Sequence, residues 1–295
     1  MSTTSEALLL QEDLRDAVEY CRDVTRARAA NFYWGLRLTP EPQRSAMYTI
    51  YAWMREADDI VDGTSVDGDA ASTIQAFRAN TRLALRGTVA EPTSLWRAFA
   101  AVARAYPLDL NDFEAMIDGQ IADLRPQRLH QEEELRQYCE QVASSVGRVC
   151  VRVWGYQCVD ALALASERGV AFQMVNVIRD VAEDARMGRV YIPQARFDRA
   201  GIDLEALLQW RDPPRCMALL EGMIDAARDR FEVSAPLESM IEPACRPTLR
   251  GLTGMYRALL ERLAADPERV VRQRVSVPTL QKALVIVRAR LAGER

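Results

Sequence analysis

Apolar residues recur three and four positions apart along most of the chain, and no stretch alternates in the manner of a half-buried strand. The pattern therefore predicts helices throughout. Breakers divide it into helix-length pieces: Pro40 and Pro42, the polar stretch 63–72, Pro92, Pro107, Pro126, Gly155, Pro193, the Pro213-Pro214 pair, then Pro236, Pro243, Pro247, Pro267 and Pro278. Pro42 suits the first turn of a helix that runs to about Val61. Gln131 to Glu134 bring three acids to the start of another helix, where they favour the helix dipole. The piece from Asp160 to Asp184 is apolar on most faces and reads as a central, largely buried helix. No repeat, low-complexity segment or long linker interrupts the chain. The expectation is one all-α domain over residues 1–295, with roughly ten helices.

Composition narrows the function. Hydrophobic residues make up 49% of the 295, enough for a sizeable core, and the net charge of -4 argues against nucleic acid as a partner. No run reaches the ~18 apolar residues of a membrane span, and residues 1–16 lack the basic and apolar regions of a signal peptide. A cytoplasmic, soluble protein is expected, with peripheral membrane contact left open, and oligomeric state is not readable. The six cysteines include no C-x-x-C pair and sit mostly in apolar stretches, as buried free thiols do. His130 is the only histidine, which removes most Ser-His-Asp triads and His-rich zinc sites. Lys282 is the only lysine, so acid, base and metal chemistry must rest mainly on carboxylates.

Two acidic clusters interrupt apolar helices. The first is Asp58, Asp59 and Asp62; residues four apart share a helix face, so Asp58 and Asp62 project together. The second is Asn176, Asp180 and Asp184, three oxygen-bearing side chains repeated every four residues. One D-x-x-x-D alone is ordinarily a solvated helix end. Two clusters on apolar helices need partners, because burying unpaired carboxylates costs several kcal/mol. Arg55 and Arg179 neutralise part of the charge, not all of it. Divalent cations are the natural complement, and carboxylate and amide oxygens suit magnesium shared with substrate phosphates, with manganese as an alternative. Metal-bound diphosphate is a good leaving group. Its loss from an allylic carbon leaves a cation that survives only in a dry cavity, for which Phe32, Tyr33, Trp34, Tyr48, Tyr51 and Trp53 offer aromatic faces.

With these residues in view, the chain resembles the squalene/phytoene synthases. The segment from Asn31-Phe32-Tyr33-Trp34-Gly35 to Tyr51-Ala52-Trp53-Met54-Arg55-Glu56-Ala57-Asp58-Asp59-Ile60-Val61-Asp62 looks like the family's first aspartate motif. Tyr138-Cys139-Glu140-Gln141-Val142-Ala143-Ser144-Ser145-Val146-Gly147 is similar to its Tyr-Cys signature, with Ser144 where glycine is common and Ser145 in place of a larger aliphatic residue. The second signature is matched by Gln173-Met174-Val175-Asn176-Val177-Ile178-Arg179-Asp180-Val181-Ala182-Glu183-Asp184 and Gly188-Arg189-Val190-Tyr191-Ile192-Pro193. The three matches keep the family's order, and a weaker likeness continues through Arg274-Val275-Ser276-Val277-Pro278.

The resemblance implies the all-α isoprenoid synthase fold, with a cavity between the acid-bearing helices. Carried over, Asp58, Asp62, Asn176, Asp180 and Asp184 would bind magnesium. Arg55, Arg179 and Arg189 would lie near the diphosphates, Tyr51 and Gln173 near the reacting ends, and Tyr138 in the active site. It implies head-to-head joining of two allylic diphosphates through a cyclopropyl intermediate, ending in presqualene diphosphate, squalene, dehydrosqualene or phytoene. NADPH is needed only for squalene, and no Rossmann-type glycine fingerprint speaks for it. Head-to-tail synthases repeat an Asp-rich motif and cyclases carry Ser or Thr and then Glu after the Asn; the second cluster fits neither. A relative turned binding protein should have lost its acids, and none is missing here. Phe32, Leu36 and Tyr48 are expected in the cavity wall, and the bulk of Tyr48 favours C15 farnesyl diphosphate, with C20 geranylgeranyl diphosphate and phytoene as the alternative.

Overall fold

The computed structural model describes residues 12–61, 63, 70–90 and 92–292. Every regular element among them is helical, and only two isolated β-bridges occur, Arg128 with Val190 and Tyr156 with Ile241. The first half contains α1 (Arg15–Arg28), α2 (Ala30–Leu36), α3 (Gln43–Val61), α4 (Ala70–Leu85), α5 (Ser94–Ala105), α6 (Leu110–Ala122), α7 (Glu132–Cys139) and α8 (Ser145–Trp154). The second contains α9 (Asp160–Arg186), α10 (Gln194–Ala200), α11 (Leu204–Leu208), α12 (Pro213–Val233), α13 (Leu237–Met240), α14 (Arg246–Ala265), α15 (Arg269–Arg272) and α16 (Thr279–Leu291). Ten of these helices have ten residues or more, as the periodicity predicts, and six are shorter, among them α7, whose start the acids after Gln131 mark in the sequence. Pro42 stands just ahead of α3, whose first residue is Gln43.

Local chemistry explains several boundaries. Asp109, Asp203 and Asp212 each cap a helix N-terminus by accepting from a backbone N–H two or three residues on. The acids expected at the start of α7 form a capping box, in which Glu134 accepts from the Gln131 backbone N–H at 2.9 Å. Gly155, with φ of 87°, ends α8 in a conformation that side chains disfavour.

The 27-residue α9 organises the rest. Its buried positions run nearly round the helix, from Ala161 and Ala165 through Val170, Ala171, Met174 and Val175 to Ile178 and Val181, so neighbours enclose it. α7, α8, α12 and α14 all pack on it. Two apolar clusters result. One is built around Trp53, Phe77, Trp96, Phe99 and Phe113, and the other lies between α9, α12 and the end of α14. Phe172 of α9 packs against both.

Between α7 and α8 the helix widens into a π segment, Glu140–Ser144. Here it meets α9 backbone to backbone. A Cβ added to Gly169 would lie 2.6 Å from Ala143 O and from Ser144 Cα, and one on Gly147 would lie 2.6 Å from Ala165 O. The pairings 143 with 169 and 147 with 165 make α8 and α9 antiparallel. Ser144 Oγ donates to Ser166 O at 2.8 Å across the same contact. All cysteines are free, and five of the six are buried. Among the described residues no helix is long and apolar enough to cross a membrane.

Gly169→Ala is expected to destabilise the protein by about 1–3 kcal/mol, against the ~1 kcal/mol that alanine would otherwise add in a helix. Urea denaturation checks this; a variant at least as stable as wild type would mean the helices part without cost.

Candidate active site

α2, α3, the π segment, α8, α9 and α14 enclose an apolar cavity of about 290 Å³. Phe32, Tyr51 and Met54 line it from one side, Val142, Ala143, Val146 and Gly147 from another, and Phe172, Gln173 and Asn176 from α9. Aromatic faces are frequent: Phe32 stacks with Tyr51 at 6.1 Å between ring centroids, and Phe172 with Tyr256 at 4.1 Å. Burial, and then the negative charge of Asp58, hold the Tyr51 hydroxyl above its ordinary pKa, so it stays protonated.

The acids stand one or two helical turns beyond the lining residues: Asp58 follows Met54 on α3, and Asp180 and Asp184 follow Asn176 on α9. The C-terminal turn of α6 links the two walls. Gln120 donates to Asp58 Oδ1 at 2.5 Å, and three residues on, Asp123 accepts from the Tyr191 hydroxyl at 2.7 Å while its carbonyl accepts from Arg189 Nη2 at 2.8 Å. Asp62 lies outside the described residues.

On the second wall, Asp184 is short of positive charge. Burial first, and then Asp180, raise the Asp184 carboxyl to about 7; Glu183 and Asp123 act in the same direction and Arg189 only partly opposes them. Asn176 donates Nδ2 to Gln173 Oε1 at 3.2 Å, yet its own Oδ1 is buried without a hydrogen-bond partner. A buried acceptor in that condition beside clustered carboxylates suits a hard cation. Among the described residues no three His, Cys, Asp or Glu side chains are gathered into a closed metal cage. Magnesium is ordinarily held by one or two carboxylates plus substrate phosphates, so an open, carboxylate-rich rim fits it.

A second pocket of about 550 Å³ adjoins the cavity through Ala29, Phe32, Leu252 and Tyr256, and is lined by Arg28, Arg179 and Arg274. Arg179 clasps Asp180 with both Nε, at 2.7 Å, and Nη2; Arg274 Nε lies 3.1 Å from the same carboxylate; Arg28 reaches Asp59 at 2.6 Å. Arg55 pairs with Asp59 and sits 3.7 Å from Asp58.

Tyr51, Gln173, Asn176 and Phe32 thus share one cavity; Asp58, Asp180 and Asp184 stand farther along its α3 and α9 walls, with Arg55 beside Asp58, Arg179 on Asp180 and Arg189 on the Asp123 carbonyl. Tyr138 is not among the lining residues. It stacks on Tyr191 at 4.2 Å and faces the Asp123 and Asp184 side, where burial holds its hydroxyl well above the ordinary range. Leu36 and Tyr48 call for a correction: neither lines the cavity. Leu36 is fully buried in the core, and Tyr48 stacks on Tyr33 at 5.7 Å and borders a different pocket with Arg22 and Arg26. α3 turns its Tyr51 face to the cavity, and Tyr48, three residues earlier, follows the α1 side.

Sequence reasoning missed Arg28, Asp123 and Gln120, which no motif spacing marks, and the lining residues Trp154 and Arg168. Arg168 is buried, with Nε donating to Ser234 Oγ at 2.7 Å and Nη2 to Ser234 O at 2.9 Å, and burial lowers its pKa to about 10.

Residues 25–281 match the family described as squalene/phytoene synthase. The chain belongs to this family. It is 32% identical over 282 residues to the 15-cis-phytoene synthase of Synechococcus elongatus, covering 91% of each chain. It is 30% identical to a phytoene synthase of Mycobacterium tuberculosis, over 94% of this chain and 91% of that one. Among solved structures, a squalene synthase from Alicyclobacillus acidocaldarius superposes with a TM-score of 0.79 at 26% identity, over 90% and 98% of the two chains. A dehydrosqualene synthase shares the fold with a TM-score of 0.87 at 23% identity, over 96% and 98%. The fold is therefore the all-α isoprenoid synthase fold of this family, and the chain is a prenyltransferase-type enzyme.

The Asp184 carboxyl carries a testable linkage. Its folded pKa of about 7 lies above the unfolded value of 3.8. Its contribution is thus most favourable below the unfolded value and is lost as pH rises through 7. In chelator at pH 8, Asp184→Asn should melt a few degrees above wild type, with the gap shrinking toward pH 4. Thermal melts across that range check this; a variant that melts lower at pH 8 overturns the charge argument.

Proposed function

We propose that this enzyme joins two allylic isoprenoid diphosphates head to head, holding each diphosphate at the acid and arginine rim and the hydrocarbon chains in the aromatic cavity. The observation that carries the reading is this juxtaposition: Tyr51, Gln173 and Asn176 line an apolar cavity whose α3 and α9 walls carry Asp58, Asp180 and Asp184 one or two turns farther on, and Arg28, Arg179 and Arg274 line the pocket that adjoins it.

Asp58, Asp62, Asn176, Asp180 and Asp184 would hold magnesium, or manganese, on two walls. The bound ions would supply Lewis acidity that weakens the bond between the allylic carbon and the diphosphate. The chain's own residues do the rest. Arg179 and Arg274, now paired with Asp180, are placed to take diphosphate oxygens, which arginine grips in bidentate fashion. The cavity excludes water, and the π faces of Phe32, Tyr51 and Phe172 stabilise the allylic cation while its carbon bonds to the double bond of the second substrate. The attacking carbon then gives a proton to the released diphosphate, and the electron pair of that C–H bond closes the cyclopropane ring. Tyr51 and Tyr138 are protonated at neutral pH as phenols ordinarily are, burial raises both further, and their hydroxyls would serve as hydrogen-bond donors.

For substrate length, the cavity supports C15. The antiparallel pairing of α8 with α9 carries Trp154 about 10 Å past Gly147, away from Asn176 and the acids. Trp154 is 3% exposed and is the bulkiest side chain of the lining. It takes the limiting role expected of Leu36 and Tyr48. The C20 reading, geranylgeranyl diphosphate to phytoene, draws its support from relatives of 30–32% identity that carry the name phytoene synthase.

Purified protein should turn over farnesyl diphosphate only with magnesium or manganese, and Asp180→Asn should lose about 100-fold or more in kcat with unchanged helical circular dichroism. Full turnover in excess EDTA would sink the metal reading. A competition between C15 and C20 diphosphates, read by product mass with and without NADPH, fixes the substrate and the last step. A wild-type preference for C20 would replace the C15 reading, whereas C15 preference together with some C40 product from Trp154→Ala would establish it.

A further inference from the structure

The last helix has an apolar stripe on the wrong side for a core. α16 packs on α14 through Val285, Ile286 and Ala289, which meet the faces of Gly251 and Gly254. At 100° per residue, Leu280, Leu284, Val287 and Leu291 form a second stripe on the opposite side, within a sector of roughly 60°. All four are exposed, at 84%, 47%, 52% and 56%. Scattered exposed leucines need no explanation, but four aligned over three turns, about 16 Å, do.

The polar residues of α16 point to the occupant. Arg288 and Arg290 are exposed and fall about 80° to either side of the stripe. Lys282 is the third charged residue of the helix, which has no acid, in a chain whose net charge is -4. An apolar stripe flanked on both edges by cations is the pattern of a helix lying in a bilayer interface, where side chains enter the acyl boundary and arginines meet anionic headgroups. A second copy of this chain seated stripe to stripe would set Arg288 and Arg290 against the same cations, because α16 carries no acid to pair with them.

We infer that α16 docks the enzyme on an anionic phospholipid surface through Leu280, Leu284, Val287 and Leu291, with Arg288 and Arg290 on the headgroups. The segment Arg274–Val277, which lines the pocket joined to the cavity, leads directly into this helix, so docking would place the cavity's arginine-lined side one short segment from the membrane. The inference stands on the helix surface alone and does not depend on the proposed reaction.

The test is flotation of the full chain with vesicles of phosphatidylcholine containing phosphatidylglycerol, and with phosphatidylcholine alone. Wild type should float with the anionic vesicles and bind the neutral ones more weakly. Added salt should reduce the anionic binding. Leu284→Gln with Val287→Gln should cut that binding about tenfold or more, and Arg288→Ala with Arg290→Ala should remove most of its salt dependence. Unchanged helical circular dichroism and melting would show that both variants fold. Wild type remaining with the aqueous fraction overturns the inference. So does a wild-type dimer in sedimentation equilibrium that the leucine and valine variant converts to monomer, because the stripe would then be covered by a second copy.

Discussion

The site depends on how closely α9 can approach the helix that carries the π segment. Gly147 and Gly169 leave no side chain between the two backbones, and the would-be Cβ positions fall 2.6 Å from atoms of the opposite helix. The contact fixes the tilt of both helices. Val142 and Ala143 then face Phe172 and Gln173 across a gap that the remaining walls cannot fill, and that gap is the cavity. The π segment contributes by shifting the register of side chains midway along an otherwise continuous helix, a device frequent at functional sites. Small residues thus shape an empty space here by letting main chains touch elsewhere.

Charge is arranged on the same principle of exchangeable partners. Asp58, Asp59 and Asp180 already pair with Arg55, Arg28, Arg179 and Arg274 in this structure. A complex of cations with diphosphate carries both kinds of charge, so each protein group could trade its present partner for one of opposite sign on the ligand. The rim then changes partners without leaving a buried charge alone, which is the costly alternative. Asp184 and the Asn176 carbonyl oxygen are the exceptions, held in this structure without sufficient compensation.

Much of this was legible in the sequence because it rests on helical periodicity. The extent of α9 follows from a long apolar run, and the placing of Asp58 beyond Tyr51, and of Asp180 beyond Gln173, follows from a spacing of seven residues, two turns along one helix face. What failed depends on packing between helices. The side of α3 on which Tyr48 lies is set by α1, and nothing local distinguishes it from the Tyr51 side. Arg28, Gln120 and Asp123 join the rim from helices whose own patterns are unremarkable, through contacts of 31 to 68 residues' separation. The π segment is invisible for the same reason: its residues suit an ordinary helix, and only the contact with Gly169 accounts for the wider turn.

Phe172 touches both apolar clusters, and the cavity opens beside it. The hydrocarbon pocket therefore lies along the seam where the two cores of the protein meet. A void there removes contacts from both sides at once, since a lining atom without a neighbour forfeits its dispersion energy. A bound isoprenoid chain would act as interior packing shared by the two halves, contributing to cohesion as a core side chain does. The substrate is, in that sense, a transient piece of the fold, and the enzyme's mechanical integrity and its occupancy rise and fall together.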